Sequence, residues 1–133
     1  ALRASGRTPT TRDVVEILCL PLAQLALARQ PAGRRFLRCL GRLHQEHNPV
    51  RTRVSDRYID VPILEMLQTL APAAPRPRIE WYLGMIMSVI HATLCDVGRE
   101  CQPWQVALKE TGMDPAEQVQ ALVDFICEGV AAL

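Results

Sequence analysis

Apolar residues recur along this chain with the period of a helix, and the interruptions are where a helix would be expected to stop. Val14, Val15, Ile17 and Leu18, followed by Leu22, Leu25 and Leu27, fall at helical spacing behind Thr10 and Asp13. A hydroxyl residue followed three positions later by a carboxylate is the pattern of a reciprocal cap at a helix N-terminus. Pro21 lies inside this first helix and lacks a backbone N–H, so a kink is expected near Cys19 to Pro21. Gln30-Pro31-Ala32-Gly33 breaks the pattern. A second helix then places Phe36, Leu37, Leu40 and Leu43 on one face and Arg34, Arg35, Arg38 and Arg42 on the other, ending at Asn48-Pro49. Val50 to Ile59 reads as a third helix. Asp60-Val61-Pro62 either kinks it or opens a fourth helix carrying Ile63, Leu64, Leu67 and Leu70.

Three prolines (Pro72, Pro75 and Pro77) predict a stiff reversal over 71–78. A long helix follows from Ile79 to about Val97, with Gly98 placed to end it. A short helix is expected around Pro103 to Glu110, closing at Gly112. Asp114-Pro115-Ala116-Glu117 then combines an N-cap, a proline at the first helical position and a reciprocal glutamate, and the last helix runs to the end of the chain. No alternating strand pattern or internal repeat occurs. The expected fold is all-α, an antiparallel bundle of about six helices, with residues 1–9 as a flexible N-terminal segment or linker and 10–133 as one helical domain.

The long helix is apolar on every side. Ile79, Leu83, Ile86, Ile90, Leu94 and Val97 make a bulky stripe, and Gly84, Ser88, Ala92 and Cys95 form a ridge of small side chains beside it. The last helix repeats the theme, with Val119, Leu122, Val123, Ile126, Val130 and Leu133 on one face and Ala121, Phe125, Gly129 and Ala132 on another. One small domain has difficulty covering both faces of two helices, whereas a second copy of the chain covers them economically. Small residues let helix axes approach closely. Gly84, Ser88, Ala92, Cys95, Ala121, Phe125, Gly129 and Ala132 are therefore the candidate dimer interface, seated on the last two long helices.

Composition adds limits. With 133 residues, about half of them apolar, and a formal charge of +1, the chain suits one globular core. Residues 1–78 hold thirteen arginines against six acids, and residues 79–133 hold one arginine and one lysine against eight acids, so the two halves attract. Ser88, His91 and Thr93 interrupt the most apolar stretch, which argues for a buried helix over a membrane span. Five scattered cysteines without a Cys-x-x-Cys pair fit a reduced, cytoplasmic protein. The opening Ala1, with no start methionine or signal region, suggests a fragment or a processed chain.

The order of elements resembles the C-terminal regulatory domain of TetR-family transcriptional regulators. The likeness is carried by Pro31-Ala-Gly-Arg-Arg-Phe-Leu-Arg-Cys-Leu40, the Leu70-Ala-Pro-Ala-Ala-Pro75 turn, Pro77-Arg-Ile-Glu-Trp-Tyr-Leu-Gly-Met85 and Gln118-Val-Gln-Ala-Leu-Val-Asp-Phe-Ile-Cys-Glu-Gly129. These are patterns of apolar and small residues, and they extend over nearly the whole chain. The resemblance implies a homodimer through the two C-terminal helices and an apolar pocket among the middle helices for a small apolar effector. It further implies a repressor released by that effector, acting on operator DNA through a separate N-terminal helix-turn-helix. Nothing before Thr10 is long enough for such a unit, so operator binding is not expected of this chain as given. The alternative is a helical homodimeric interaction module with a filled core.

A pocket of that kind would take its wall from the inner faces of the first, second, third and long helices. The candidate ligand-binding residues are Cys19, Phe36, Leu40, Tyr58, Trp81, Met85 and Met87, each also readable as plain core. His44 with His47, and His91 with Cys95, stand at spacings that reach one metal ion, but each pair supplies only two ligands, and no metal or cofactor is expected. No Glu-x-x-His pair, Gly-x-Ser-x-Gly turn or Gly-rich phosphate loop occurs, so no catalytic residues are assigned. Cys39 beside Arg38 is the one thiol with the neighbour a sensor needs, although its place next to the apolar face favours inert burial. Ala26 to Arg42 has a rival reading as a helix-turn-helix with Gly33 in its turn. No Asn or Gln for reading bases stands among Arg34, Arg38 and Arg42, which favours a solvated face.

Overall fold

The computed structural model describes residues 8–28, 31–46, 53–97 and 113–132. Every regular element among them is helical. They are α1 (Thr11–Leu27), α2 (Pro31–Gln45), a π-helical turn (Asp56–Asp60) that leads directly into α3 (Val61–Leu70), α4 (Arg76–Asp96) and α5 (Pro115–Ala131). The expected short helix at Pro103 to Glu110, the stop signals Asn48-Pro49 and Gly98, and most of the N-terminal segment lie outside the described residues.

Both caps form as their residues dictate. The Asp13 amide donates to the Thr10 hydroxyl at 3.2 Å, and the Thr10 amide donates to the Asp13 carboxylate at 2.8 Å. At α5 the amides of Ala116 and Glu117 donate to Asp114 at 2.7 and 2.9 Å, and the Asp114 amide donates to Glu117 at 2.8 Å. Each box supplies partners for amides that the first turn cannot satisfy internally.

The prolines behave differently from one another. Pro21 sits inside α1 without ending it, which leaves the Ile17 carbonyl without its usual donor four residues on. Pro62 stands in the first turn of α3, directly after the π-helical turn. A proline ring crowds the carbonyl of the preceding turn, and widening that turn relieves the clash. The third helix is thus continued through Pro62 with a π-helical irregularity, the first of the two alternatives posed for Asp60-Val61-Pro62. Pro31 is the first residue of α2 and Pro77 the second of α4. The reversal expected over 71–78 is therefore confined to 71–75, because a proline in the first helical turn forfeits only an amide that had no partner within the helix.

Gly33 lies in the first turn of α2, outside the turn between α1 and α2, which corrects the helix-turn-helix reading. A Cβ there would stand 2.6 Å from the Leu25 carbonyl oxygen, so the two helices cross at a separation that only glycine permits. Arg34 closes the same crossing by donating to the Ala26 carbonyl at 3.4 Å.

The helices pack α1 on α5, α2 on α4 and α3 on α4, with α1 also touching α2, α3 and α4. The core holds Val14, Val15, Cys19, Leu37, Leu67, Ile79, Ile90, Leu94 and Val123 at almost no exposure. All six residues of the bulky α4 stripe, Ile79 through Val97, are buried, as are Val119, Leu122, Val123, Ile126 and Val130 of α5. Phe36, expected on the buried face of α2, is exposed, while Leu37 takes the core position. Arg12 of α1 pairs with Asp124 of α5 at the edge of their contact. No helix among the described residues is long and apolar enough to cross a membrane.

Candidate functional site

An apolar cavity of about 430 Å³ opens between α1, the π-helical turn, α3 and α4. α1 contributes Ile17, Leu18, Pro21 and Leu22, with Leu18 buried at the floor and Ile17 exposed at the mouth. Val54 and Ile59, also exposed, complete the mouth. Pro62, Ile63 and Met66 line the α3 side, Met87 and His91 the α4 side, and Leu40 reaches in from α2. Among the described lining residues, Ser55 and His91 have polar side chains. A volume of this size is in the range of small-molecule sites, and a wall that is apolar apart from a few polar groups selects apolar ligands.

Leu40 and Met87, both expected at a pocket, stand on this wall. The other candidates are placed differently. Cys19 is fully buried in the core, outside the lining, and burial, with Cys127 nearby, pushes its thiol up to about 12. Phe36, Trp81 and Met85 are exposed and do not line the cavity. The side chain of Tyr58 lies outside those described. Ile17, Pro21, Pro62 and Ile63 went unassigned in sequence, although Pro62 stands directly after the π-helical turn.

The second region is the outer face of α4 and α5. Gly84, Ser88 and Ala92 on α4, and Ala121, Phe125, Gly129 and Ala132 on α5, are exposed, and Trp81 and Met85 extend the same face. Trp81 is 69% and Phe125 68% exposed. A Cβ added at Gly84 or Gly129 would meet nothing within 4 Å. Ser88 donates to the Gly84 carbonyl at 2.9 Å, so its hydroxyl is already satisfied within the helix, and covering it strands no polar group. Of the proposed seam residues, Cys95 alone is partly buried, packed beside Gly41 of α2.

A helical domain with this cavity and this bare face matches a known family. A family model described as "Tetracyclin repressor-like, C-terminal domain" matches residues 16–129. The chain belongs to this family. No curated protein and no solved structure matches it. The tetracyclin repressor-like domain here extends from within α1 to near the end of α5, and so includes the described lining of the cavity and all of the outer face but Ala132.

The thiols complete the inventory. Cys19, Cys39 and Cys127 are free thiols. Cys39 is exposed, correcting the expectation of burial: Leu37 and Leu40 turn inward, and Cys39 falls between Arg38 and Arg42 on the outer side of α2. Burial raises the Cys127 thiol, partly offset by the nearby Arg12 guanidinium. Among the described residues no group of three or more His, Cys, Asp or Glu is placed to hold a metal ion.

Proposed function

We propose that this domain is the effector-binding and dimerisation part of a TetR-like transcriptional regulator in the cytoplasm, a repressor released by a small apolar ligand. The observation that carries this reading is the pairing of one apolar cavity with one bare apolar face on the same helix. α4 lends Met87 and His91 to the cavity and Trp81, Gly84, Ser88 and Ala92 to the outer face. Aromatic side chains carry about 150–250 Å² each. Two of them left about two-thirds bare expose area approaching the size at which surface patches mark a contact. A second copy apposing its own α4 and α5 there makes a four-helix seam about a two-fold axis. Ligand in the cavity bears on α4 from inside, and the seam bears on it from outside. A ligand that fits one setting of α4 better than another shifts the relation between the two copies, and with it the separation of DNA-reading heads joined to them.

Light scattering tests the seam and thermal shift the cavity. The wild-type chain is expected to be a dimer at tens of micromolar, and Gly84→Leu, which thickens the ridge, to split or loosen it. A monomeric wild type overturns the seam. Small apolar compounds are expected to raise the melting temperature of the wild type but not of Met66→Trp, which fills the cavity. An equal response from both overturns the effector site and leaves a dimeric interaction module without a ligand.

A further inference from the structure

A second concavity, of about 640 Å³, lies between α2 and α4. Its α2 wall carries Arg35, Arg38 and Arg42, all exposed, and none of them is in an ion pair with another described residue. Spaced by three and then four residues, the three guanidiniums form one stripe about 10 Å long. The floor is lowered by the absence of a side chain at Gly41, where Cys95 and His91 approach to 3.7 and 3.9 Å of the missing Cβ. Ser88 and Ala92, both small, leave the α4 wall low, and Asp96 stands at its C-terminal end as the one carboxylate among the described lining residues.

Arginines on a convex helix are ordinarily a solvated face. Here they border a concavity of small-molecule size, and like charges so close on one helix repel unless an anion joins them. Guanidinium groups take carboxylate and phosphate oxygens in bidentate pairs, and three in a row match several anionic groups on one molecule better than a single point charge. Duplex DNA needs a protruding helix to meet its grooves and phosphates, which a trough walled by α4 does not offer.

We propose that this trough is a binding site for a small organic polyanion, its carboxylate or phosphate groups paired with Arg35, Arg38 and Arg42. It is separate from the apolar cavity, with His91 part of both walls, and it shares Ser88 and Ala92 with the outer face of α4. Binding in the trough is therefore measured without any apolar ligand, and failure of the effector reading leaves it standing.

The test is calorimetry on the whole chain at low ionic strength with citrate and with tripolyphosphate, and with sodium chloride at matched ionic strength as the control. One or both probes are expected to bind, and the responder identifies a polycarboxylate or a polyphosphate ligand. Arg38→Gln with Arg42→Gln is expected to weaken binding by about tenfold or more, through loss of two charge-assisted pairs. Arg53→Gln, which removes an exposed arginine outside the trough, is expected to change it by no more than about twofold, the scale of general screening. Bound anion is also expected to slow alkylation of the exposed Cys39, read by mass spectrometry. Absence of binding by either probe overturns the proposal, as does an equal loss in Arg53→Gln. Binding of duplex DNA with the same arginine dependence, while both small anions fail, assigns the stripe to nucleic acid instead. Splitting of an anion-free dimer by the Arg38 and Arg42 substitutions assigns it to carboxylates of a partner copy, which also overturns the small-anion site.

Discussion

The inner and outer faces of α4 and α5 both carry large apolar side chains, and these meet opposite fates. Ile79, Ile90 and Leu94 are covered by the chain's own helices, while Trp81, Met85 and Phe125 stand in the open. What separates them is shape. The inner stripe is uniformly aliphatic and bulky and interlocks with α1 and α3, whereas the outer face mixes two aromatic side chains with glycine, serine and alanine. Bulk at regular spacing fills a core from within. A face of small residues with an occasional large one leaves room for a matching helix, and no described helix of this chain occupies it.

The sharpest way to break the comparison is to remove bulk from the inside. Leu94→Ala deletes a side chain with essentially no exposure and is expected to cost about 2–5 kcal/mol in urea unfolding, the range of core truncations that leave a cavity. Gly33→Ala comes next: its methyl would press on the Leu25 carbonyl oxygen, and overpacking of this kind costs about 1–3 kcal/mol. Asp114→Ala removes the acceptor for two amides and should cost about 1 kcal/mol, read as a lower urea midpoint with an unchanged slope.

Alkaline titration sharpens the contrast through Cys19, whose buried thiol is raised to about 12 from an unperturbed 9.0. Between these values the unfolded chain gives up the proton and the folded chain keeps it. Stability therefore falls as pH rises from about 9 toward 12, and Cys19→Ala, followed by urea unfolding across that window, is expected to flatten the fall. The smallest effect on folding is expected from Phe125→Asp on the outside. It should leave the unfolding midpoint of the dilute protein nearly unchanged but abolish the rise of melting temperature with protein concentration that a dimer shows.

Most of the fold was legible because its signals are local. Thr10 with Asp13, and Asp114 with Glu117, announce their helices through hydrogen bonds reaching three residues, and the stripes of α4 and α5 follow from a period of 3.6. Little of the cavity was legible. Leu40 and Met87 were placed by helical phase, but Ile17 and Ile63 belong to it only because α1 and α3 cross α4 without filling the space between them. Phe36 shows the limit of phase alone: next to Leu37 on the helix surface, it stays outside because α4 and α1 together cover only the Leu37 side.

By itself, then, the order of residues determined the helical class, the capped ends, the buried stripes and the presence of a second apolar face, since each rests on interactions within a few residues or along one helix. Tertiary structure decided which proline lies within a helix and which stands at its start, that Gly33 marks a crossing between helices, that Cys39 faces solvent, and where the apolar cavity and the arginine trough lie. A cavity or a trough is the space left between surfaces of different helices, so it exists only once their separations and crossing angles are set.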